Sequence, residues 1–368
     1  MAKKGYLILE NGDVLEGESF GDEKEIKGEV VFNTGMVGYP ESFTDPSYFG
    51  QILVMTYPLI GNYGVPSSSK NRKIDGLFES GKIQIRGLVV ESNIDGTSHW
   101  QSGKTLSTWL KEEGVPALSG IDTRTLTKTL REKGVMRGIV TFEKPRNLSG
   151  FTFYDINKDN LIPFVSCKKI ARYGNGSIKI LFIDCGLKYN QIRILTKYDT
   201  TVIQVPWDYN PFQSDNNIKF DAVFISNGPG DARTMRETIE TVKEVLRRKI
   251  PTFGICLGHQ VLTLAAGGEI YKLKYGHRSQ NQPVKNELTD KCYITSQNHG
   301  YASIPSTLSK DWKIWFTNLN DGTNEGIHHK TLPFFSVQFH PEASPGPTDT
   351  EWLFDYFIKR SEDRVKKH

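Results

Sequence analysis

The sequence predicts an α/β protein whose C-terminal half is a doubly wound, mainly parallel sheet with flanking helices. In that half, short continuous apolar runs alternate with helical patterns, which is typical of parallel strands joined by crossover helices. The runs predicted to be buried strands are residues 178–183, 201–205, 220–225 and 252–255. Residues 233–248 carry apolar side chains on one side among many charges, as a helix that covers a sheet should.

The N-terminal half predicts a mixed α and β domain that begins with a hairpin. Asn11-Gly12 stands between the strand-like runs 6–10 and 13–16, and an Asn-Gly pair in that position favours a tight turn. The remaining predictions for this half are strands at residues 29–33, 51–57 and 83–91 and helices near residues 104–113 and 124–133.

Length and composition predict two domains. A chain of 368 residues with 37% hydrophobic residues can bury two sizeable cores. The periodicity fades over residues 147–175, and the stretch 173–177, Tyr-Gly-Asn-Gly-Ser, is rich in turn formers. We therefore expect a first domain at residues 1–150, a linker at residues 151–176 and a second domain at residues 177–368.

Composition argues against nucleic-acid binding and against a membrane location. The 46 Lys and Arg residues nearly balance 42 Asp and Glu residues, so no strong field attracts a polyanion or an anionic membrane. No apolar run approaches the roughly 20 residues that cross a bilayer. The four cysteines, Cys167, Cys185, Cys256 and Cys292, form no C-x-x-C pair, which fits free thiols in a reducing compartment. A cytoplasmic protein is expected.

Residues 252–260, Thr-Phe-Gly-Ile-Cys-Leu-Gly-His-Gln, have the pattern of a nucleophile elbow. A strand runs into Cys256 and a helical pattern follows, with Gly254 and Gly258 permitting a close approach of strand and helix. A cysteine at the start of a helix is favoured as the thiolate, which is the attacking species. An isolated cysteine is more often a small buried hydrophobe, so the glycines and the strand carry this interpretation.

A thiolate nucleophile needs a base, and the base needs an orienting group. His340 follows the apolar run 334–339, and Glu342 stands two residues further on, beyond a proline. A lone histidine is usually a surface or core residue, but here it coincides with an elbow and a neighbouring carboxylate. His259 and His299 also lie beside the motifs; we expect them to order loops rather than transfer protons.

Acyl transfer also requires amide donors for the developing oxyanion. The N–H of Leu257 follows the nucleophile directly, and the loop 226–231, Ser-Asn-Gly-Pro-Gly-Asp, follows a predicted strand. From its residues alone, the loop could equally bind phosphate or form a tight turn.

Taken together, residues 254–260, 226–230 and 340–342 resemble the glutaminase motifs of the class I, triad-type glutamine amidotransferases. The resemblance implies a γ-glutamyl thioester on Cys256, His340 as the base and Glu342 as its orienting group. It also implies that the backbones of Gly228 and Leu257 donate to the oxyanion.

The N-terminal half is similar to the small subunit of carbamoyl-phosphate synthetase, and the match covers about residues 5 to 360. The similar segments are residues 28–35, 38–41, 44–48, 57–64, 120–124 and 296–300. The resemblance implies glutamine contacts by Ser47, Gly228, Gly230, Leu257, Gln260, Asn298, Gly300 and Tyr301. Tyr301 departs from the Phe of some members. By itself, Asp45-Pro46-Ser47 is an ordinary turn sequence.

The resemblance further implies that ammonia passes to a carbamoyl-phosphate synthetase large subunit or to a covalently linked synthetase domain. This partner would interact with the N-terminal domain of the present chain. ATP and Mg would be used by that partner, because this sequence contains no G-x-x-x-x-G-K-[ST] loop. We expect no cofactor and no metal in this chain. Two alternatives remain: a glutaminase serving another acceptor, such as the synthases of anthranilate or GMP, and a non-catalytic scaffold. Arginine and pyrimidine synthesis are not distinguished.

Overall fold

The structure is a computed structural model that describes residues 2–67, 74, 76–94, 96–147, 150–213 and 218–365. The chain divides into two compact units, Met1–Asp159 and Asn160–His368. Within the described residues, no helix has the length and apolar character needed to span a membrane.

The first unit is built around a closed barrel. Its strands are β1 Lys4–Leu9, β2 Val14–Ser19, β3 Ile26–Asn33, β4 Gln51–Met55, β5 Val65–Pro66, β6 Gly87–Val89, β7 Ser102–Lys104, β8 Ala117–Ser119 and β9 Met136–Thr141. Its helices are α1 Tyr39–Thr44, α2 Leu106–Glu112 and α3 Thr123–Lys133. The barrel order is β1-β2-β8-β6-β4-β3-β9, and β9 pairs with β1 to close it. Strands β5 and β7 form a separate small sheet.

The predicted hairpin is confirmed, because β1 and β2 pair in antiparallel fashion with Leu7 opposite Leu15. The predicted α2 and α3 are also present, and the strand predicted over residues 83–91 is shorter, as β6. Helix α1 was not predicted. Its signal is Pro40 in the first turn, a position where proline's fixed φ favours a helix. The helix packs Tyr39 and Phe43 into the core of this unit.

The second unit contains a ten-stranded sheet with helices. Its strands are β10 Ala171–Tyr173, β11 Ile178–Asp184, β12 Thr200–Pro206, β13 Ala222–Ile225, β14 Thr252–Ile255, β15 Glu269–Asn286, β16 Cys292–Ile304, β17 Trp312–Asn318, β18 Asn324–His329 and β19 Phe334–Val337. Its helices are α4 Tyr189–Leu195, α5 Arg236–Arg247, α6 Leu257–Ala265 and α7 Trp352–Val365.

The parallel part of this sheet confirms the predicted α/β fold. Five neighbouring strands, in the order β12-β11-β13-β14-β19, are parallel. Strand β10 adds an antiparallel edge, and β18, β16, β15 and β17 extend the other side in antiparallel pairing. Because β14 and β19 are parallel neighbours with Ile255 opposite Val337, the residues that follow each strand emerge at the same edge.

The segment predicted as a linker, residues 151–176, is divided between the two units. Residues up to Asp159 belong to the first unit, where Asn157 Nδ2 donates to Glu29 Oε1 at 3.3 Å. The remainder belongs to the second unit, where Ile162 is buried and β10 pairs with β12. These contacts arise from two short 3-10 turns, Ile156–Lys158 and Ile162–Phe164, and a three-residue strand, which are too short to produce a periodic pattern.

Candidate active site

Cys256 occupies a strained turn between β14 and α6. Its φ of 54° and ψ of −103° lie in a region that residues with a side chain rarely adopt. The two flanking glycines allow this turn. A Cβ on Gly254 would lie 2.5 Å from the carbonyl oxygen of Gly258, and a Cβ on Gly258 would lie 2.2 Å from that of Ile225. The turn therefore has the geometry of a nucleophile elbow.

His340 and Glu342 follow β19 and form a buried pair. The backbone N–H of His340 donates to the carbonyl of Ser296 at 2.9 Å, which fixes the residue against β16. Its ring Nδ1 lies 2.7 Å from Glu342 Oε1, and both residues are about 1% exposed. The structure thus brings the predicted base and its orienting group into direct contact.

The charges of this pair reinforce one another. Burial alone would lower the pKa of His340, but the negative charge of Glu342 and the contact with Cys256 raise it to about 10. Burial would raise the pKa of Glu342, but the charges of His340 and Lys188 hold it below its usual value. The charged forms of both groups are favoured, as a thiolate and imidazolium pair requires.

The Cys256 thiol is buried beside the β16 backbone. Its Sγ lies 3.7 Å from the carbonyl oxygen of Asn298, and its side chain contributes to the raised pKa of His340. Cys256, His340 and Glu342 therefore lie together at the carboxyl edge of β14 and β19, although 84 residues separate the cysteine from the histidine in the numbering.

The loop after β13 lies against the N-terminus of α6. A Cβ on Gly228 would lie 2.0 Å from the carbonyl oxygen of Cys185 and 2.8 Å from the Leu257 side chain. Ser226 Oγ accepts the backbone N–H of Cys185 at 2.9 Å, which ties the start of the loop to the end of β11. The Gly228 backbone thus lies beside the Leu257 side chain, and the oxyanion role of these two backbones stays a prediction.

The other predicted glutamine contacts of the second unit lie on α6, on β16 and in the loop after β13. Gln260 is buried on α6, and its Nε2 donates to Gln338 Oε1 at 3.3 Å. Asn298, Gly300 and Tyr301 follow one another closely on β16, and Gly230 lies in the loop. The Arg233 guanidinium stands 5.7 Å from the centre of the Tyr301 ring. The glutamine-binding roles stay predictions.

Ser47 belongs to the first unit. It is buried in the 3-10 helix Pro46–Tyr48, where its backbone N–H donates to Asp45 Oδ1 at 2.9 Å. The Asp-Pro-Ser sequence therefore forms a capped turn, and contact of Ser47 with glutamine stays a prediction.

The two other histidines of the motifs are buried and hydrogen-bonded through both ring nitrogens. His259 lies between Ser336 Oγ at 2.8 Å and Ser303 Oγ at 2.9 Å, and burial lowers its pKa to about 3. His299 Nδ1 donates to the carbonyl of Tyr301 at 2.8 Å, and burial holds its pKa well below the usual value. The His259 ring therefore connects α6 to β16 and β19, whereas the hydrogen-bond partners of His299, Tyr301 and Gln297, lie on its own strand, β16.

Sequence reasoning missed three side chains that contact Glu342. Lys188 Nζ lies 3.7 Å from Glu342 Oε1 and donates to the carbonyl of Ala343. Gln191 Nε2 lies 3.1 Å from Glu342 Oε1, and Asn190 Nδ2 donates to the carbonyl of Glu342. Their only sequence signal was that they follow β11, which ends at the same sheet edge.

One group of described residues could hold a metal ion. Ligand atoms of His277, His299 and Glu325 lie within 4.8 Å of one another, and all three residues are buried. These atoms already face hydrogen-bonding partners: Gln297 Oε1 lies 2.9 Å from His277 Nδ1 and 3.0 Å from His299 Nε2. The group is therefore also explained as a hydrogen-bonded network without an ion.

Comparison with known proteins first defines the class. Residues 181–360 match the family model described as glutamine amidotransferase class-I. A glutamine amidotransferase structure from Thermotoga maritima is 19% identical, with a TM-score of 0.36, and covers 52% of this chain and 86% of that chain. The family-model match over residues 181–360 identifies the second unit as a class I glutamine amidotransferase domain.

The match of the first unit shows which family of glutamine amidotransferases the chain belongs to. Residues 7–140 match the carbamoyl-phosphate synthase small chain, CPSase domain. The carbamoyl phosphate synthase small chain of Pyrococcus furiosus is 46% identical over 370 residues, which are 98% of this chain and 99% of that one. The chain therefore belongs to the carbamoyl phosphate synthase small chain family.

The family also includes much longer relatives. The multifunctional protein CAD of Squalus acanthias is 50% identical over 361 residues, or 97% of this chain. This chain spans only about a sixth of that relative, 16% of its length.

Proposed function

We propose that this chain hydrolyses glutamine to glutamate and ammonia through a thioester on Cys256. The observation that carries the proposal is the strained Cys256 elbow beside the buried His340–Glu342 pair. A class I domain that matches residues 181–360 supports glutamine as the substrate.

The first half-reaction forms the thioester. The Cys256 thiolate attacks the carboxamide carbon, and the resulting oxyanion accepts hydrogen bonds from the backbones of Gly228 and Leu257. The His340 imidazolium gives its proton to the nitrogen, the C–N bond breaks, and ammonia leaves. Loss of one oxyanion donor typically costs about a hundredfold to a thousandfold in rate, so we expect both donors to contribute strongly to turnover.

The second half-reaction releases glutamate. Neutral His340 takes a proton from water, the resulting hydroxide attacks the thioester carbonyl, and the C–S bond breaks to restore the thiolate. Glu342 keeps the imidazole oriented and stabilises its charged form in both halves. Gly230, Gln260, Asn298, Gly300, Tyr301 and Ser47 are the proposed contacts to the glutamine.

The proposed acceptor of the ammonia is a carbamoyl-phosphate synthetase, either a separate large subunit or a covalently linked domain. Family membership and the match of residues 7–140 support this partner. In this proposal the partner uses bicarbonate, two ATP and Mg, and this chain binds no cofactor. The free thiols of Cys167, Cys185, Cys256 and Cys292 support a cytoplasmic location.

Replacement of the nucleophile tests the proposal. We expect Cys256→Ser to lower glutamate release by more than about a thousandfold, measured with the synthetase partner present. Cys292→Ser, at an exposed cysteine, is the matched control and should keep wild-type activity. Equal activity in the Cys256→Ser variant and the wild type would reject the assignment, and co-purification with a different synthase would reject the proposed acceptor.

A further inference from the structure

We propose that Gln191 is a positioning residue for this reaction, because its side-chain amide connects the Glu342 carboxylate to the loop that carries Gly228. The inference rests on the proposed glutaminase function and adds a residue to it. Gln191 lies on α4 and has no exposed surface. Its Nε2 lies 2.9 Å from Asn227 Oδ1 and 3.1 Å from Glu342 Oε1.

The neighbours of Gln191 fix the orientation of its amide. Glu342 is favoured as the carboxylate, which only accepts hydrogen bonds. Asn227 Oδ1 also accepts the backbone N–H of Lys188 at 3.1 Å, so this Asn227 atom is the oxygen. The Gln191 nitrogen must therefore face both groups, and its two N–H bonds serve one acceptor each.

These two hydrogen bonds reach both halves of the catalytic apparatus. Glu342 Oε1 is the same oxygen that contacts His340 Nδ1 at 2.7 Å, so Gln191 restrains the carboxylate that orients the base. Asn227 directly precedes Gly228, so the second bond restrains the loop that presents the oxyanion donor. One side chain thus sets the base and the oxyanion loop relative to each other.

Loss of Gln191 has a specific electrostatic consequence. A hydrogen bond to a carboxylate stabilises its charged form, so removing the bond raises the pKa of Glu342. The same loss changes how strongly Glu342 holds the His340 imidazolium, so the pH midpoint of Cys256 alkylation shifts. A residue that only fills space would change stability without moving this pH.

The first unit contains a matched control for the loss of a buried amide. Gln51 Nε2 donates to Glu29 Oε2 at 3.0 Å, and both residues are buried. Gln51→Leu therefore removes a buried amide that binds a buried carboxylate, as Gln191→Leu does, in a unit that does not contain Cys256.

The experiment compares Gln191→Leu and Gln51→Leu in the full chain with its synthetase partner. Glutamate release gives kcat and KM. The rate at which iodoacetamide alkylates Cys256 is followed by mass spectrometry of the peptide that contains it. The pH dependence of this rate gives the alkylation midpoint. We expect Gln191→Leu to lower kcat about 10- to 100-fold with KM changed less than about threefold. Its alkylation midpoint should shift by about half a pH unit or more, and Gln51→Leu should leave both values unchanged.

A folded Gln191→Leu variant with wild-type kcat and alkylation midpoint would overturn the proposal, as would equal losses in Gln51→Leu. If the leucine variant does not fold, Gln191→Glu keeps the size and polarity of the side chain. Its added carboxyl group beside Glu342 should shift the midpoint, and a wild-type midpoint there would overturn the proposal. A wild type that lacks glutaminase activity, with a midpoint that still moves in Gln191→Leu, would reject the proposed function and support the positioning role.

Discussion

His340 and His277, two histidines of the second unit, each contact a carboxylate, and comparing them shows what the proposed catalytic role of His340 requires. His340 Nδ1 lies 2.7 Å from Glu342, and His277 Nε2 lies 2.8 Å from Asp321. Burial opposes the charge on both rings, but the carboxylates raise the pKa of His340 to about 10 and that of His277 to about 9. By distance and charge the two pairs are nearly equivalent.

The pairs differ at the second ring nitrogen. His340 Nε2 makes no hydrogen bond to nitrogen or oxygen within the described part of the chain, and the Cys256 side chain helps to raise the pKa of this ring. His277 Nδ1 instead faces Gln297 Oε1 at 2.9 Å and Glu325 Oε1 at 3.3 Å. In the proposed mechanism, His340 can act on Cys256 because its Nε2 has no other hydrogen-bond partner among the described residues. A raised pKa alone does not distinguish His340 from His277.

The largest expected effect comes from His340→Gln. We expect kcat for glutamine hydrolysis to fall by about 10³- to 10⁴-fold, because the leaving ammonia and the attacking water lose their proton carrier. Steady-state kinetics with the partner present measures this loss. His277→Gln is the matched contrast, and a similar fall in that variant would remove the distinction between the two pairs.

Glu342→Gln should have the next largest effect, a loss of about 10²- to 10³-fold in kcat. The amide keeps the size of the side chain but removes the charge that raises the pKa of His340, so the imidazolium is lost at lower pH. A titration of the His340 ring by NMR checks this direction. An unchanged ring pKa in a folded variant would show that Glu342 acts only by holding the ring in place.

His277→Gln should change stability rather than chemistry, with kcat altered less than about threefold. The folded-state pKa of about 9 lies above the ordinary histidine value of 6.5, so the stabilisation is complete below pH 6.5 and is lost as the pH rises through 9. We therefore expect a deficit on the order of 3 kcal/mol in the free energy of unfolding near pH 6, fading towards pH 10. Urea unfolding at several pH values measures it, and a deficit independent of pH would contradict the assigned charge.

The triad was predictable because each of its parts has a local signature. The glycines around Cys256 mark the sharp turn, and His340 and Glu342 directly follow an apolar strand. Lys188 and Gln191 have no such signature, because they are ordinary residues at the start of α4. They lie near Glu342 only because of the strand order of the sheet, in which β11 is beside β13 and β13 is beside β14.

The barrel of the first unit also depends on contacts that local sequence patterns do not predict. The strands β1, β3 and β4 were predicted from local patterns, but closure depends on β9 pairing with β1, where Leu7 lies opposite Val140. Nothing in either strand alone specifies a partner so far along the chain. Likewise, β15 and β16 pair with register shifts that interrupt a simple alternation of apolar and polar residues.

The order of β14 and β19 also has a consequence for synthesis of the chain. Cys256 leaves the ribosome first, and His340 is the 84th residue after it, with β15 to β19 in between. At about 5 to 20 residues per second, the thiol exists for several seconds before its base has been made. His340 reaches Cys256 only after β19 has paired with β14. Until then, the growing chain contains Cys256 without the histidine that would activate it.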